Sequence, residues 1–163
     1  MTDRYNMVHL ALYQPDIPQN LGSAMRLSAC LGKKLEIIEP CGFPWNEKKI
    51  RQSGMDYVDA VEILKHSSWE KFYAHHKYIT DRPASRIILM TTKASIPYTD
   101  FQFTPHDIIL AGRESAGVPD DVHNIVDHRI VIPVQQGLRS FNIINASAMI
   151  MGEALRQTNE FPS

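Results

Sequence analysis

Three short runs in the second half of the chain limit what it can fold into: Arg86 to Thr91 (RIILMT), Asp107 to Ala111 (DIILA) and Arg129 to Val134 (RIVIPV). Each is apolar and rich in β-branched residues, with no polar residue at alternate positions. A strand with one wet face would alternate, so these runs suit strands covered on both faces. Val8 to Tyr13 and Leu35 to Ile38 read the same way, and Ala60 to Leu64 reads as a weaker strand. Helix-like segments separate them. This alternation predicts an α/β fold with an open, mainly parallel sheet flanked by helices. A length of 163 residues is that of one domain with a proper core.

The helices carry their own signals. One is expected over Gln19 to Leu31, with Pro18 in its first turn and Gly32 past its end. Asn46 to Ser53 reads as a short basic helix. Ser67 and Glu70 have capping-box spacing before a helix running to about His76. A short helix is expected after Pro119 and a long one from Asn142 to Gln157. The long one has two apolar stripes, Phe141, Ile144, Met151 and Leu155, then Ile143, Ile150 and Ala154. Two such faces suggest burial on two sides, hence a subunit interface.

Charge narrows the partners. Seventeen basic and 18 acidic side chains leave a net charge of −1, which excludes a simple nucleic-acid-coating protein. The balance is uneven, with 13 basic and 10 acidic residues up to Lys93 and 4 against 8 after it. An anionic partner must therefore meet local basic patches. No apolar run approaches the ~20 residues of a membrane span, and the first six residues, a short N-terminal extension, lack a signal peptide's apolar stretch. Cys30 and Cys41 have no metal-site spacing and read as reduced thiols of a cytoplasmic protein. His75 and His76 read as a solvated helix end rather than a metal site, since adjacent helix positions do not face one another.

Common catalytic signatures are missing. There is no GxGxxG after the first strand and no Walker A sequence. In Gly112-Arg113-Glu114-Ser115-Ala116-Gly117, Ser115 falls one residue too late for a nucleophile elbow. Three segments remain. In Asn20-x-Gly22-x-x-x-Arg26 a glycine sits inside a helix at a cost of ~1 kcal/mol, which suggests a close approach. Ile108 to Pro119 (IILAGRESAGVP) is a strand followed by a glycine turn, a common ligand position in open α/β sheets. Ile132 to Asn145 (IPVQQGLRSFNIIN) is a strand end, a glycine loop and a helix start, where Ser140 or Asn142 alone could be a cap. Arg113 and Arg139 are two of only four basic residues after Lys93, and both fall in these loops. A negatively charged ligand there is therefore expected.

Taken together, these segments resemble the SPOUT superfamily of RNA methyltransferases. The likeness is closest to its minimal single-domain members, which methylate the ribose 2′-hydroxyl of a tRNA wobble cytidine or uridine. The run from Leu12 to Asp59, MTTK at Met90 to Lys93, GRESAGVP at Gly112 to Pro119, RSFN at Arg139 to Asn142 and EALRQ at Glu153 to Gln157 carry the match. The resemblance implies one methyltransferase domain over residues 1–163, with a deep trefoil knot at its C-terminal end, an exception to the usual topology rules. It also implies a homodimer and S-adenosyl-L-methionine as methyl donor, with no metal and no membrane.

Carried over by position, the cofactor contacts fall on Met90, Gly112, Ile132 and Ser140, largely through backbone groups. Arg26 falls on the catalytic arginine, with Asn20, Glu114, Arg139 and Asn142 as supporting or tRNA-binding positions. Lys48, Lys49 and Arg51 form a possible phosphate patch, with Lys33, Lys34 and Lys93 beside it. Gly152 stands where the subfamily usually has tyrosine, and Ile144 where it often has a polar residue. Two other readings stay open at this point. One is a SPOUT methyltransferase of ribosomal RNA or another tRNA position; the other is a non-catalytic RNA-binding assembly factor.

Overall fold

The computed structural model describes residues 7–163, apart from the side chains of 47, 53–56 and 58, so the N-terminal extension lies outside the described residues. Strands β1 (His9–Tyr13), β2 (Leu35–Ile38), β3 (Ile63–His66), β4 (Arg86–Met90), β5 (Asp107–Ala111) and β6 (His128–Ile130) form one sheet. Its order is β3-β2-β1-β5-β4-β6. All five pairings between these strands are parallel. Helices α1 (Pro18–Cys30), α2 (Glu47–Gly54), α3 (Trp69–Lys77), α4 (Asp120–Ile125) and α5 (Ile143–Thr158) connect and cover the strands.

The apolar runs are buried on both faces, as their composition requires. On one face Leu10, Leu12, Leu35, Ile37, Ile88 and Ile109 pack with Leu21 and Met25 of α1 and with Ile150, Met151 and Leu155 of α5. On the other, Tyr13, Ile38, Ile87, Leu89, Ile108 and Leu110 pack with Trp69 and Phe72 of α3 and Val122 of α4. Asp107, fully buried, accepts from Arg86 Nε at 2.6 Å and Nη2 at 2.8 Å, tying β5 to β4. Helix α1 has proline in its first turn and ends at Gly32, whose φ of 68° is left-handed, so Lys33 N–H can return to the Ser28 carbonyl at 2.9 Å.

Several expectations need correction. The third strand is Ile63–His66, because a 3₁₀ turn over Met55–Ala60 takes up Ala60 and the chain joins the sheet only from Ile63. The sixth strand ends at Ile130; Val131 instead bridges Pro97, and Pro133 has no N–H to extend a ladder. The cap of α3 is Ser68, which accepts from Lys71 N–H at 3.1 Å, not Ser67. In α5, Ile144, Ile150, Met151, Ala154 and Leu155 are all buried within this chain. Its two stripes thus merge into one broad inward face and do not by themselves require a second subunit. Ile144 is a core residue, whereas a Cβ at Gly152 would meet nothing within 4 Å beyond its own helix backbone.

Two charged expectations also change. Lys33 is buried in an ion pair with Glu160 at 2.8 Å, so it cannot join a phosphate patch. His76 is not solvated: its Nε2 lies 2.8 Å from Glu36 on β2. Burial pushes the Glu36 carboxyl up, but hydrogen bonds with His66, His76 and His9 outweigh this and hold it well below the usual carboxylate range.

The two-sided core sets the stability pattern. Ile109→Ala should lower unfolding free energy by about 2–5 kcal/mol. Tyr78→Ala, at an exposed ring, should change it by less than about 0.5 kcal/mol. Equilibrium urea unfolding of both variants checks the difference.

Candidate functional site

Strands β1, β2 and β3 step to one edge of the sheet, while β5, β4 and β6 lie on the other side of β1. The order therefore reverses between β1 and β5. Open α/β sheets bind ligands outside the carboxyl ends of the strands at such a switch point. A cleft of about 440 Å³ opens there. Loops after β1, β4, β5 and β6, together with the start of α5, line it.

Seven of the nine expected site residues line this cleft: Asn20, Met90, Gly112, Glu114, Ile132, Ser140 and Asn142. They come from five separated stretches, brought together because every strand points its carboxyl end the same way. Ile130, Ile132, Val134 and Ile150 supply apolar wall, while Thr91 to Lys93 and Gly112 to Gly117 supply backbone and polar rim. Ser147 at the second turn of α5 places its hydroxyl 3.8 Å from the Met90 sulfur.

The glycine turn after β5 has a local reason. Arg113 N–H donates to the Gly117 carbonyl at 3.0 Å and Gly117 N–H returns to Arg113 at 2.9 Å. Gly117 has a φ of 62°, and a Cβ at Gly112 would lie 2.9 Å from the Gly117 backbone. Both glycines are thus required by the turn folding on itself. Arg113 stays within it, with Nε donating to the Gly117 carbonyl at 2.9 Å and its guanidinium 5.5 Å from the Tyr13 ring centroid.

This turn carries Glu114 to the loop after β1. Glu114 accepts from Asp16 N–H at 3.1 Å and from Asn20 Nδ2 at 3.2 Å. Asn142 Nδ2 reaches Asn20 Oδ1 at 3.5 Å and, as the α5 cap, accepts from Ile144 N–H at 2.9 Å. Ser115 donates to the Asp16 carboxylate. A polar chain therefore runs from the β1 loop through the β5 turn to the start of α5. Burial and the Asp16 carboxyl beside it raise Glu114, while hydrogen bonds from Glu114 and Ser115 hold Asp16 low. Asp16 was missed in the sequence; its only signal was a position just beyond a strand end, in Gln14-Pro15-Asp16.

Arg26 and Arg139 are not among the residues that line the cleft. Arg26 lies six residues beyond Asn20 on α1, about 9 Å along the axis. It is exposed, with its guanidinium 5.3 Å from the Tyr57 ring centroid. Arg139 is exposed beside Ser140. Lys48 and Lys49 are exposed on α2, Arg51 pairs with Asp59 at 2.9 Å, and Lys93 lies on the cleft rim.

A parallel sheet with a cleft lined by these loops at its switch point defines a ligand-binding α/β protein. The chain belongs to the SpoU rRNA Methylase family, whose model matches residues 7–152. That fold implies the trefoil knot. The chain is 55% identical over 148 residues to a tRNA (cytidine(34)-2′-O)-methyltransferase of Beijerinckia indica, covering 91% of this chain and 90% of that protein. It is 49% identical over 152 residues to the same enzyme of Ancylobacter novellus, covering 93% and 94%. A structure solved for the 2′-OH methylation of C/U34 on tRNA superposes with a TM-score of 0.84 at 32% identity, covering 95% of this chain and 97% of that one. The Streptomyces viridochromogenes methyltransferase AviRb, solved with S-adenosylmethionine, shares the fold at 23% identity and a TM-score of 0.82, over 95% of this chain and 62% of that one.

The carboxyl pair predicts a pH effect. Glu114 is raised, so its protonated form favours the folded state: that contribution is full below the ordinary carboxylate range and fades as pH rises through its folded value. Glu114→Gln cannot titrate. Its stability relative to the parent should therefore improve between about pH 3 and pH 7, which urea unfolding at several pH values would measure.

Proposed function

We propose that this protein is a tRNA (cytidine/uridine-34) 2′-O-methyltransferase. It transfers a methyl group from S-adenosyl-L-methionine to the ribose 2′-hydroxyl of the wobble nucleotide. The observation that carries this reading is the convergence of three motif segments on one cleft in a chain 55% identical to an enzyme of that name over nine-tenths of both proteins. The cleft suits the donor chemically. Its volume falls within the range of small-molecule sites, and apolar wall opposes polar backbone, as an adenosyl group requires. Met90, Gly112, Ile132 and Ser140 would hold the donor, mainly through amides and carbonyls.

When bound, the donor supplies a methyl carbon activated by a sulfonium. The protein's own work is alignment and charge stabilisation. The Asn142–Asn20–Glu114 chain fixes the loops around the cleft. Arg26 is always cationic, so it acts not as a base but as a fork that holds the developing alkoxide or the neighbouring phosphate. Arg139, Lys48, Lys49 and Lys93 offer further phosphate contacts. The whole chain acts as one cytoplasmic methyltransferase domain that pairs as a homodimer. Exposed Leu138, Phe141 and Met149, beside and on α5, support the pairing. Gly152, one turn on from Met149, leaves room for a partner's side chain.

Methyl transfer to total tRNA, followed by nucleoside mass spectrometry and mapping, tests the reading. The expected product is a 2′-O-methylated pyrimidine at position 34. A product in ribosomal RNA or at another tRNA position would overturn the substrate assignment. Cofactor binding without any methylation would overturn the reaction. In the same assay Arg26→Ala should lower kcat by about 10²–10³-fold. Arg26→Lys should recover little of that loss, because an ammonium lacks the planar fork.

A further inference from the structure

On the sheet face opposite α1 and α5, away from the cleft, four polar side chains meet inside the core. Glu36 at the middle of β2 is fully buried. His9 Nε2, at the start of β1, lies 2.6 Å from its Oε2. His66 Nε2, at the end of β3, lies 2.7 Å from its Oε1. His76 Nε2, on α3, lies 2.8 Å and 2.9 Å from the two oxygens. Three imidazoles from three separate elements thus aim the same ring nitrogen at one carboxylate. Donor atoms of His9, Glu36 and His76 all lie within 4.8 Å of one another.

We propose that His9, Glu36 and His76 form a binding site for a divalent transition metal of the zinc class, with His66 as the outer partner that orients Glu36. Neutral imidazole and carboxylate are the ligands such a metal takes, and three protein ligands leave the fourth tetrahedral position to water. The surroundings match. His9 Nδ1 lies 2.9 Å from the Met7 carbonyl, which can only accept, so Nδ1 carries a proton and Nε2 is directed inward. A metal-bound histidine usually makes this outer hydrogen bond. Phe72 packs edge-on against His66 at 5.3 Å and His76 at 4.9 Å, giving an apolar shell. Donors at about 2.0–2.1 Å from zinc stand about 3.3 Å apart, so Glu36 must move off the two nitrogens by about half an ångström while those of His9 and His76, within 4.8 Å of each other, draw together. Nε2 protons leave to solvent as the metal enters. The His66 side chain, 9% exposed, provides the way in. Occupied, the site would staple β1, β2 and α3 together.

Chelator-treated full-length protein titrated with Co²⁺, then Zn²⁺, tests this. The expected result is about one Co²⁺ per chain with the visible absorption of a four-coordinate ion, displaced by Zn²⁺, and a Zn²⁺-dependent rise in melting temperature. A Cys30→Ser/Cys41→Ser variant should behave identically. His66→Ala, which removes the outer partner of Glu36, should bind about 10–100-fold more weakly. If His66→Ala fails to fold, the parent and cysteine variant still decide the matter. Folded parent protein that takes up no Co²⁺ or Zn²⁺ would overturn the proposal and leave a purely protonic His–Glu network. So would a signal lost with the cysteines, or one undiminished in folded His66→Ala.

Discussion

Parallel pairing is the constraint on which the rest of the molecule depends. Strands that all run one way need a crossover between neighbours, so both faces of the sheet are covered and the central strands are mainly apolar on both sides. The same rule puts every strand-to-helix loop at one end. Asn20, Met90, Gly112 and Ile132 are far apart in the chain yet share a cleft because each lies at the carboxyl end of a strand, in the loop after it or in the first turn of the helix that follows. The switch in strand order between β1 and β5 opens the space between those loops.

The turn after β5 shows how tightly fold and site are joined. Gly112 and Gly117 close it against itself, and that closure carries Glu114 to Asp16 and Asn20. Asn142 extends the polar chain while starting α5. The residues that shape the cleft are thus also those that begin helices and terminate strands. This explains why each, taken singly, is indistinguishable from a cap or a turn residue.

Local patterns made much of this legible. Apolar runs marked β1, β2, β4 and β5, and proline and Gly32 bracketed α1. Convergence of Asn20, Glu114 and Asn142 was reached only through the family resemblance, because no local rule reports which loops meet. The faults were tertiary. The β6 run is apolar through Val134, but pairing stops at Ile130. The two stripes of α5 turned out to be one face against α1 and the sheet. Lys33 looked like a surface charge until the chain end brought Glu160 beside it. His76 looked solvated because its partners, at positions 9, 36 and 66, are distant in sequence and near only through β-pairing.

The central claim is that the carboxyl-end cleft is where S-adenosyl-L-methionine binds. Amide hydrogen exchange of the full chain with and without S-adenosylhomocysteine tests it most directly. The account predicts added protection in the loops at 90–93, 112–118 and 131–142, with β3 and α3 unchanged. Protection centred on another surface, or none with saturating ligand, would contradict it.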